Sequence, residues 1–202
     1  MKLQEKLPDG VTVDGRFYRM DFDFRNVLRM IDVLDTPDLM PEAREYLALK
    51  CLCRHPRNVS RVLRAVKSLL FPASDRKAGP KVTDFVQDAG MIRAAFRQSY
   101  GIDLYRDKVH WIEFTELLNA IPDGSRYSDV VSIRARPMPA ATKYNTAERE
   151  WLMRAKTDLA LHVSGEEQEQ RYNDDVGAIF SGLMGMIQKK GGGADVGRTG
   201  GI

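Results

Sequence analysis

The side chains that could do acid–base or metal chemistry cluster in the middle of the chain. They are three aspartates, one histidine and one glutamate, namely Asp84, Asp88, Asp103, His110 and Glu113. Carboxylates beside a histidine can bind a divalent metal ion or transfer protons. However, Asp84 and Glu113 occupy positions typical of helix surfaces, and the His110-Trp111 pair favours a helix start that fills a core. Since zinc-protease, serine-hydrolase and phosphate-loop motifs are absent from the sequence, we expect no enzyme, no metal site and no cofactor.

A second possible metal site is the short string formed by Cys51, Cys53 and His55. Two cysteines two residues apart on a helix point to roughly opposite sides, so they make neither a normal disulfide nor a good metal clamp. We favour small apolar residues in a helical core, followed by a loop histidine.

A basic helix is the feature that could bind nucleic acid. A helix is predicted from about Val59 to Phe71, and the cationic residues just before and along it are Arg57, Arg61, Arg64 and Lys67. A preceding helix, a turn and then a basic helix form the outline of a DNA-binding helix-turn-helix. The turn lacks the usual glycine, and the net charge of +3 is small. We therefore favour a solvated cationic surface and expect no nucleic-acid partner.

Three predicted helices position the central residues, and they run from about 84 to 101, 108 to 121 and 127 to 136. Their apolar residues recur at steps of three and four, which is one face of a helix. Gly101 stands where a left-handed C-cap is wanted. The core is predicted to contain Phe85, Ile92, Phe96, Trp111, Phe114 and Leu118.

The N-terminal part is predicted to be a β-hairpin followed by helices. Residues 11–20 alternate around Asp14-Gly15, a strong signal for a tight turn. Asp23 can cap the next helix, and Pro41 opens another whose inner stripe is predicted to be Tyr46, Leu49 and Leu52. The predicted fold class is therefore mainly α, a helical bundle-like domain with a short N-terminal β-hairpin.

The C-terminal part follows a proline-rich break at 137–141. A helix from about Ala147 to His162 is predicted to face inward with Trp151, Leu152, Ala155 and Leu159. After it comes a polar stretch and then an apolar stripe at helical spacing, which we predict to bind another protein: Val176, Ile179, Phe180, Leu183, Met186 and Ile187. The alternative, in which the stripe folds back onto Trp151 and Leu159, is equally compatible with the sequence. We predict a hairpin and helical core domain at 1–136, C-terminal helices at 137–190 and a disordered glycine-rich tail at 191–202.

Composition gives coarse limits. The 202 residues suffice for one domain with appendages, and 43% hydrophobic with 29% charged residues is ordinary for a soluble protein. The sequence shows neither a signal peptide nor an apolar run of the ~18 residues that a membrane span needs. We expect a cytoplasmic protein with no membrane partner.

The central block also carries a family resemblance. Its pattern consists of Phe85, Gln87, Asp88, Ala89, Ile92, Phe96, the run Tyr100-Gly101-Ile102-Asp103-Leu104, His110-Trp111, Phe114, Leu117-Leu118 and Ile133-Arg134. This pattern resembles the bacteriophage gene-product-fifteen family from about Phe22 to about Lys156. Members are encoded among phage tail genes, and the family has no catalytic motif.

The resemblance implies a tail assembly chaperone that keeps the tape-measure protein soluble while the tail tube forms. It also implies self-association, a location in the host cytoplasm and absence from the mature virion. The alternative is a structural tail or head-tail component that remains in the particle. A nucleic-acid-binding protein is the third and least favoured interpretation.

Overall fold

The computed structural model describes residues 4–72 and 81–161. Within them a hairpin is followed by helices: β1 (Gly10–Val13), β2 (Arg16–Arg19), α1 (Phe24–Leu34), α2 (Pro41–Leu52), α3 (Val59–Leu70), α4 (Ala89–Tyr100), α5 (Trp111–Asn119), α6 (Arg126–Ala135) and α7 (Thr146–Asp158). The predicted class, mainly α with a short N-terminal hairpin, is confirmed.

The hairpin has the turn that its sequence predicts. β1 and β2 pair antiparallel with Val11 opposite Tyr18. Asp14 and Gly15 both have positive φ, at 51° and 73°, which is the conformation of a type I′ turn. The hairpin does not stand alone, because β1 packs against α3 and Val11 is buried in the core.

The centre of the core is a group of stacked aromatic rings. Trp111 and Phe96 are fully buried, and Phe114 is almost so. The Phe114 ring stacks on Phe24 at 4.7 Å and on Phe96 at 5.2 Å between ring centroids. Phe85 lies half-buried at the edge of this group, against Trp111 and Phe114. The six predicted core residues therefore pack together, since Ile92 and Leu118 are buried as well.

Two helices begin later than the sequence pattern predicts. Residues 85–88 form a separate turn in which the Asp84 carboxylate accepts hydrogen bonds from the N–H groups of Val86 and Gln87, and α4 begins after this turn, at Ala89. His110 caps α5, which therefore begins at Trp111. Gly101 ends α4 with φ of 70°, as predicted.

Two predicted inner residues are exposed, which corrects the helix phases assigned to them. Tyr46 is 42% exposed, because the buried face of α2 is formed by Ala48, Leu49 and Leu52. Trp151 is 54% exposed, because Leu152, one position or ~100° further round the helix, faces the fold instead. α7 packs on α6. Across the described ranges, every helix is too short or too polar to pass through a bilayer.

Candidate functional site

The predicted acid–base cluster is divided among separate structural contacts. Asp84 forms an ion pair with Lys81 at 2.7 Å, and Asp103 is paired with Arg97 and Arg106. Burial favours the neutral form of Asp84, but hydrogen bonds from Lys81 and from backbone N–H groups outweigh it, so the pKa of Asp84 lies below its usual value. These carboxylates are already neutralised by cations and do not converge on a common ligand. Glu113 is exposed on α5.

Both ring nitrogens of His110 contact the backbone. Its Nδ1 accepts a hydrogen bond from the Ile112 N–H at 3.1 Å, and its Nε2 lies 2.9 Å from the Pro8 carbonyl oxygen. Because a carbonyl only accepts, Nε2 carries the proton and Nδ1 is the acceptor. The His110 ring thus connects the start of α5 to the segment that precedes β1.

Asp88 belongs to a buried ion pair that the sequence did not reveal. Its side chain is fully buried, and the Arg134 side chain is only 7% exposed. The two guanidinium Nη atoms of Arg134 donate to the two carboxylate oxygens at 2.7 and 3.1 Å. Such a fork-to-fork pair fixes both distance and orientation. Asp88 is therefore held as a structural partner instead of being available as a base or metal ligand.

Arg134 also fixes the end of α7. Its Nη1 donates to the Val82 carbonyl at 3.0 Å and its Nε donates to the Leu159 carbonyl at 2.6 Å. Lys156 Nζ donates to the Arg134 carbonyl at 2.7 Å, and burial lowers the pKa of this lysine. The signal that could have revealed this site is the position of Arg134 on the buried face of α6, where a charged residue requires a buried partner.

Next to this contact, Tyr127 is buried. Its hydroxyl is 3.1 Å from the Thr83 hydroxyl, and burial raises the pKa of Tyr127 to about 12. The phenol therefore stays neutral at physiological pH and acts as a hydrogen-bonding core residue.

An open apolar pocket lies between α1, α4, α5 and the segment that joins α4 to α5. It has a volume of about 280 Å³ and is lined by Phe24, Arg25, Leu28, Phe85, Ala89, Ile92, Arg93, Leu104, Tyr105 and Phe114. Its size is just below the ~300–1,000 Å³ of small-molecule sites, which suits one or two apolar side chains better than a large ligand.

Two arginines give the pocket a basic rim. The Arg93 guanidinium stacks over the ring of Tyr105 at 4.6 Å, and Tyr105 is 69% exposed. Arg25 is held by the Asp23 carboxylate at 2.8 Å and donates to the Asp107 carbonyl at 3.0 Å. The pocket therefore offers apolar contact in its interior and, at its edge, the cation of Arg93, whereas the charge of Arg25 is already balanced by Asp23.

The side chains of Cys51, Cys53 and His55 do not come together as one site. Cys51 and Cys53 are free thiols, each partly buried, and burial raises the pKa of both. The Cys51 thiol donates to the Leu47 carbonyl, while His55 is exposed in the loop after α2. Over residues 4–72 and 81–161, no three side chains of the histidine, cysteine and acidic types are arranged as a metal site.

The basic residues before and along α3 are only partly free. Arg57 and Arg64 are exposed, but Arg61 Nη1 lies 2.8 Å from a carboxylate oxygen of Asp14 in the hairpin turn. Asn58 Nδ2 donates to the same oxygen at 3.2 Å. Hydrogen bonds from Arg61 and Asn58 lower the pKa of Asp14, so a carboxylate anion lies beside the start of α3. Lys67, further along the helix, is half-buried.

The predicted protein-binding stripe lies outside the described residues. Val176, Ile179, Phe180, Leu183, Met186 and Ile187 all belong to the part of the chain after residue 161. Their role remains a prediction from the sequence.

Comparison with known proteins yields one family. Residues 3–161 match the family model described as Bacteriophage Gp15 protein. This range contains every described helix and strand and extends the resemblance seen in the sequence at both ends. Neither a curated protein nor a solved structure matches the chain.

Proposed function

From the premise that this chain belongs to the Bacteriophage Gp15 protein family, we propose that it is a non-enzymatic tail assembly chaperone that binds the tape-measure protein. The observation that carries the proposal is the family match itself, which covers residues 3–161. Phage tails need a partner for the long tape-measure chain before the tube closes around it, and the family resemblance implies that role.

The chemistry of the central residues supports a binding role over an enzymatic one. Asp84, Asp88 and Asp103 each have a cationic partner, and both ring nitrogens of His110 form hydrogen bonds with the backbone. A general base or metal ligand needs a free lone pair directed at a substrate or ion. These residues instead stabilise the fold.

Two apolar features are suited to a helical partner. One is the 280 Å³ pocket with its arginine rim. The other is the stripe from Val176 to Ile187, whose methionines can adapt to irregular apolar surfaces. A helix that places an apolar side chain in a groove is a common mode of peptide recognition. The same stripe would allow self-association, so copies of the chain and the tape-measure protein would compete for it.

Co-expression with the tape-measure protein of the same phage tests the proposal. We expect a soluble complex that co-purifies, whereas the tape-measure protein alone aggregates. Ala89→Glu should reduce the complex because Ala89 lines the pocket, while the added carboxylate at the first turn of α4 leaves the helix stable. Ala94→Glu is the matched control, since Ala94 is an exposed alanine of the same helix that does not line the pocket. A tape-measure protein that stays insoluble with the wild-type chain contradicts the proposal.

Mass spectrometry of purified virions separates the chaperone from the alternative structural component. A chaperone that acts in the host cytoplasm should be absent from mature particles or present only in traces. Stoichiometric recovery in washed virions would instead identify a structural tail or head-tail protein.

A further inference from the structure

The apolar pocket requires a partner that combines apolar side chains with carboxylates. Its interior is formed by phenylalanine, leucine and isoleucine side chains, and its rim carries Arg93 together with Arg25, which is already paired with Asp23. Within the described residues the Arg93 guanidinium contacts the ring of Tyr105, and no ion pair with a carboxylate accompanies that contact. A partner with a carboxylate next to an apolar side chain would therefore match both the apolar interior of the pocket and the arginine at its rim.

The chain leaves the described fold beside this pocket. Gln87 Nε2 donates to the Ala160 carbonyl at 3.0 Å, and Arg134 Nε holds the neighbouring Leu159 carbonyl. Gln87 stands between Phe85 and Ala89, both of which line the pocket. The residues that follow Leu161 therefore begin close to the pocket wall.

The sequence after Leu161 contains carboxylates and then apolar residues, the two features that match the pocket. Glu166, Glu167 and Glu169 come first, and the apolar stripe that contains Val176, Phe180 and Leu183 comes next. Even as a continuous helix, residues 162–175 would span ~20 Å at ~1.5 Å per residue, and more if extended. The stripe can therefore reach the pocket while the glutamates lie near its arginines.

We propose that, in the free protein, the pocket between α1, α4 and α5 binds the apolar stripe 176–187 of the same chain, with Glu166, Glu167 and Glu169 facing the arginine rim. A short tether gives the stripe an effective concentration in the millimolar range, so binding within one chain outcompetes binding between dilute copies. The contact masks both apolar features until a partner displaces it. This self-contact goes beyond the proposed function, because it concerns the free protein and requires no tape-measure protein.

Photo-crosslinking of the full-length chain alone tests the proposal. Tyr105→p-benzoylphenylalanine places the probe at the exposed edge of the pocket. The same substitution at Tyr46, an exposed aromatic residue on α2, is the control position. After illumination, mass spectrometry of a mixture of isotopically light and heavy chains distinguishes links within one chain from links between two.

The expected result is a set of links from position 105 to residues 176–187 within one chain, with none to this segment from position 46. Ala89→Glu and Phe180→Asp should each remove these links, whereas Ala94→Glu, at an exposed position of α4 outside the pocket, should leave them. Links between light and heavy chains would show a second copy in the pocket and overturn the proposal. Links from position 105 only to residues outside the segment would also overturn it. Because no tape-measure protein is present, neither result depends on the chaperone function.

Discussion

At the scale of the residue, the central acidic cluster is a set of structural contacts. Asp88 and Arg134 illustrate this best, since the pair is buried and also holds the carbonyls of Val82 and Leu159. A buried ion pair gives little net stability over an apolar pair, but removing one partner leaves an uncompensated charge. The main structural role of this pair is therefore to fix how α6, the end of α7 and the segment before α4 pack together.

Arg134→Ala is expected to destabilise the protein strongly. The substitution leaves the Asp88 carboxylate buried without its partner, a change that typically costs ~3–5 kcal/mol. Urea unfolding followed by circular dichroism gives the free energy of unfolding. The matched control is Arg136→Ala, which removes an exposed pair with Glu148 and should cost about 0–1 kcal/mol. Adding Asp88→Asn to Arg134→Ala should recover part of the loss, because the buried charge disappears. Equal effects of the two alanine variants would contradict the structural role.

Phe96→Ala is the corresponding prediction for the aromatic core. Phe96 is fully buried and stacks on Phe114, so its removal should leave a cavity and lower the free energy of unfolding by ~3–5 kcal/mol. Val86→Ala, at a side chain that is 85% exposed, should change it by less than about 0.5 kcal/mol. A loss below about 1 kcal/mol for Phe96→Ala would mean that this ring is not in the core.

At the scale of the element, the sequence predicted correctly those turns and helix ends that depend on the local backbone conformation. The Asp14-Gly15 turn and the Gly101 cap were predicted because each depends on a backbone conformation that its own residues favour. The starts of α4 and α5 were predicted too early, since apolar spacing continues through the turn at 85–88 and through the residues before the His110 cap. Periodicity alone does not show where a helix begins.

Two glycine substitutions separate backbone strain from ordinary helix propensity. Gly15→Ala should destabilise by ~1–2 kcal/mol, because φ is 73° in the hairpin turn and an L side chain disfavours that region. Gly90→Ala should stabilise by ~0.4–1 kcal/mol, because Gly90 lies within α4 and its added methyl meets open space. Thermal unfolding of the two variants measures both. A change of the same sign in both would contradict the assigned turn and helix.

At the scale of the whole molecule, contacts between distant segments were the part that sequence could not supply. Asp88 and Arg134 were both part of the family pattern, yet nothing in the spacing of two residues 46 positions apart indicates that they pair. The pocket likewise combines side chains from α1, α4 and α5. The apolar pattern predicted most of the buried residues, with Tyr46 and Trp151 as exceptions, whereas the contact between α6 and the segment before α4 depends on how the helices pack.

The whole molecule also determines what the basic residues on α3 can do. Asp14 in the hairpin turn lies 2.8 Å from Arg61, so a phosphate that approaches the start of α3 meets a carboxylate there. The remaining exposed cations, Arg57 and Arg64, can offer only sequence-independent contacts. We expect a dissociation constant for duplex DNA no tighter than ~10⁻⁴–10⁻⁶ M, weakening steeply as salt is raised.

Fluorescence anisotropy with two duplexes of unrelated sequence, each at low and at physiological salt, measures this binding. Asp14→Asn should tighten the weak binding slightly, because it removes the repelling charge while the turn conformation remains favourable for asparagine. Arg57→Glu with Arg64→Glu should abolish it, because the two introduced carboxylates repel phosphate where the two exposed cations attracted it. Nanomolar binding that differs between the two duplexes at physiological salt would instead establish α2 and α3 as a helix-turn-helix, because phosphate contacts alone cannot discriminate between sequences.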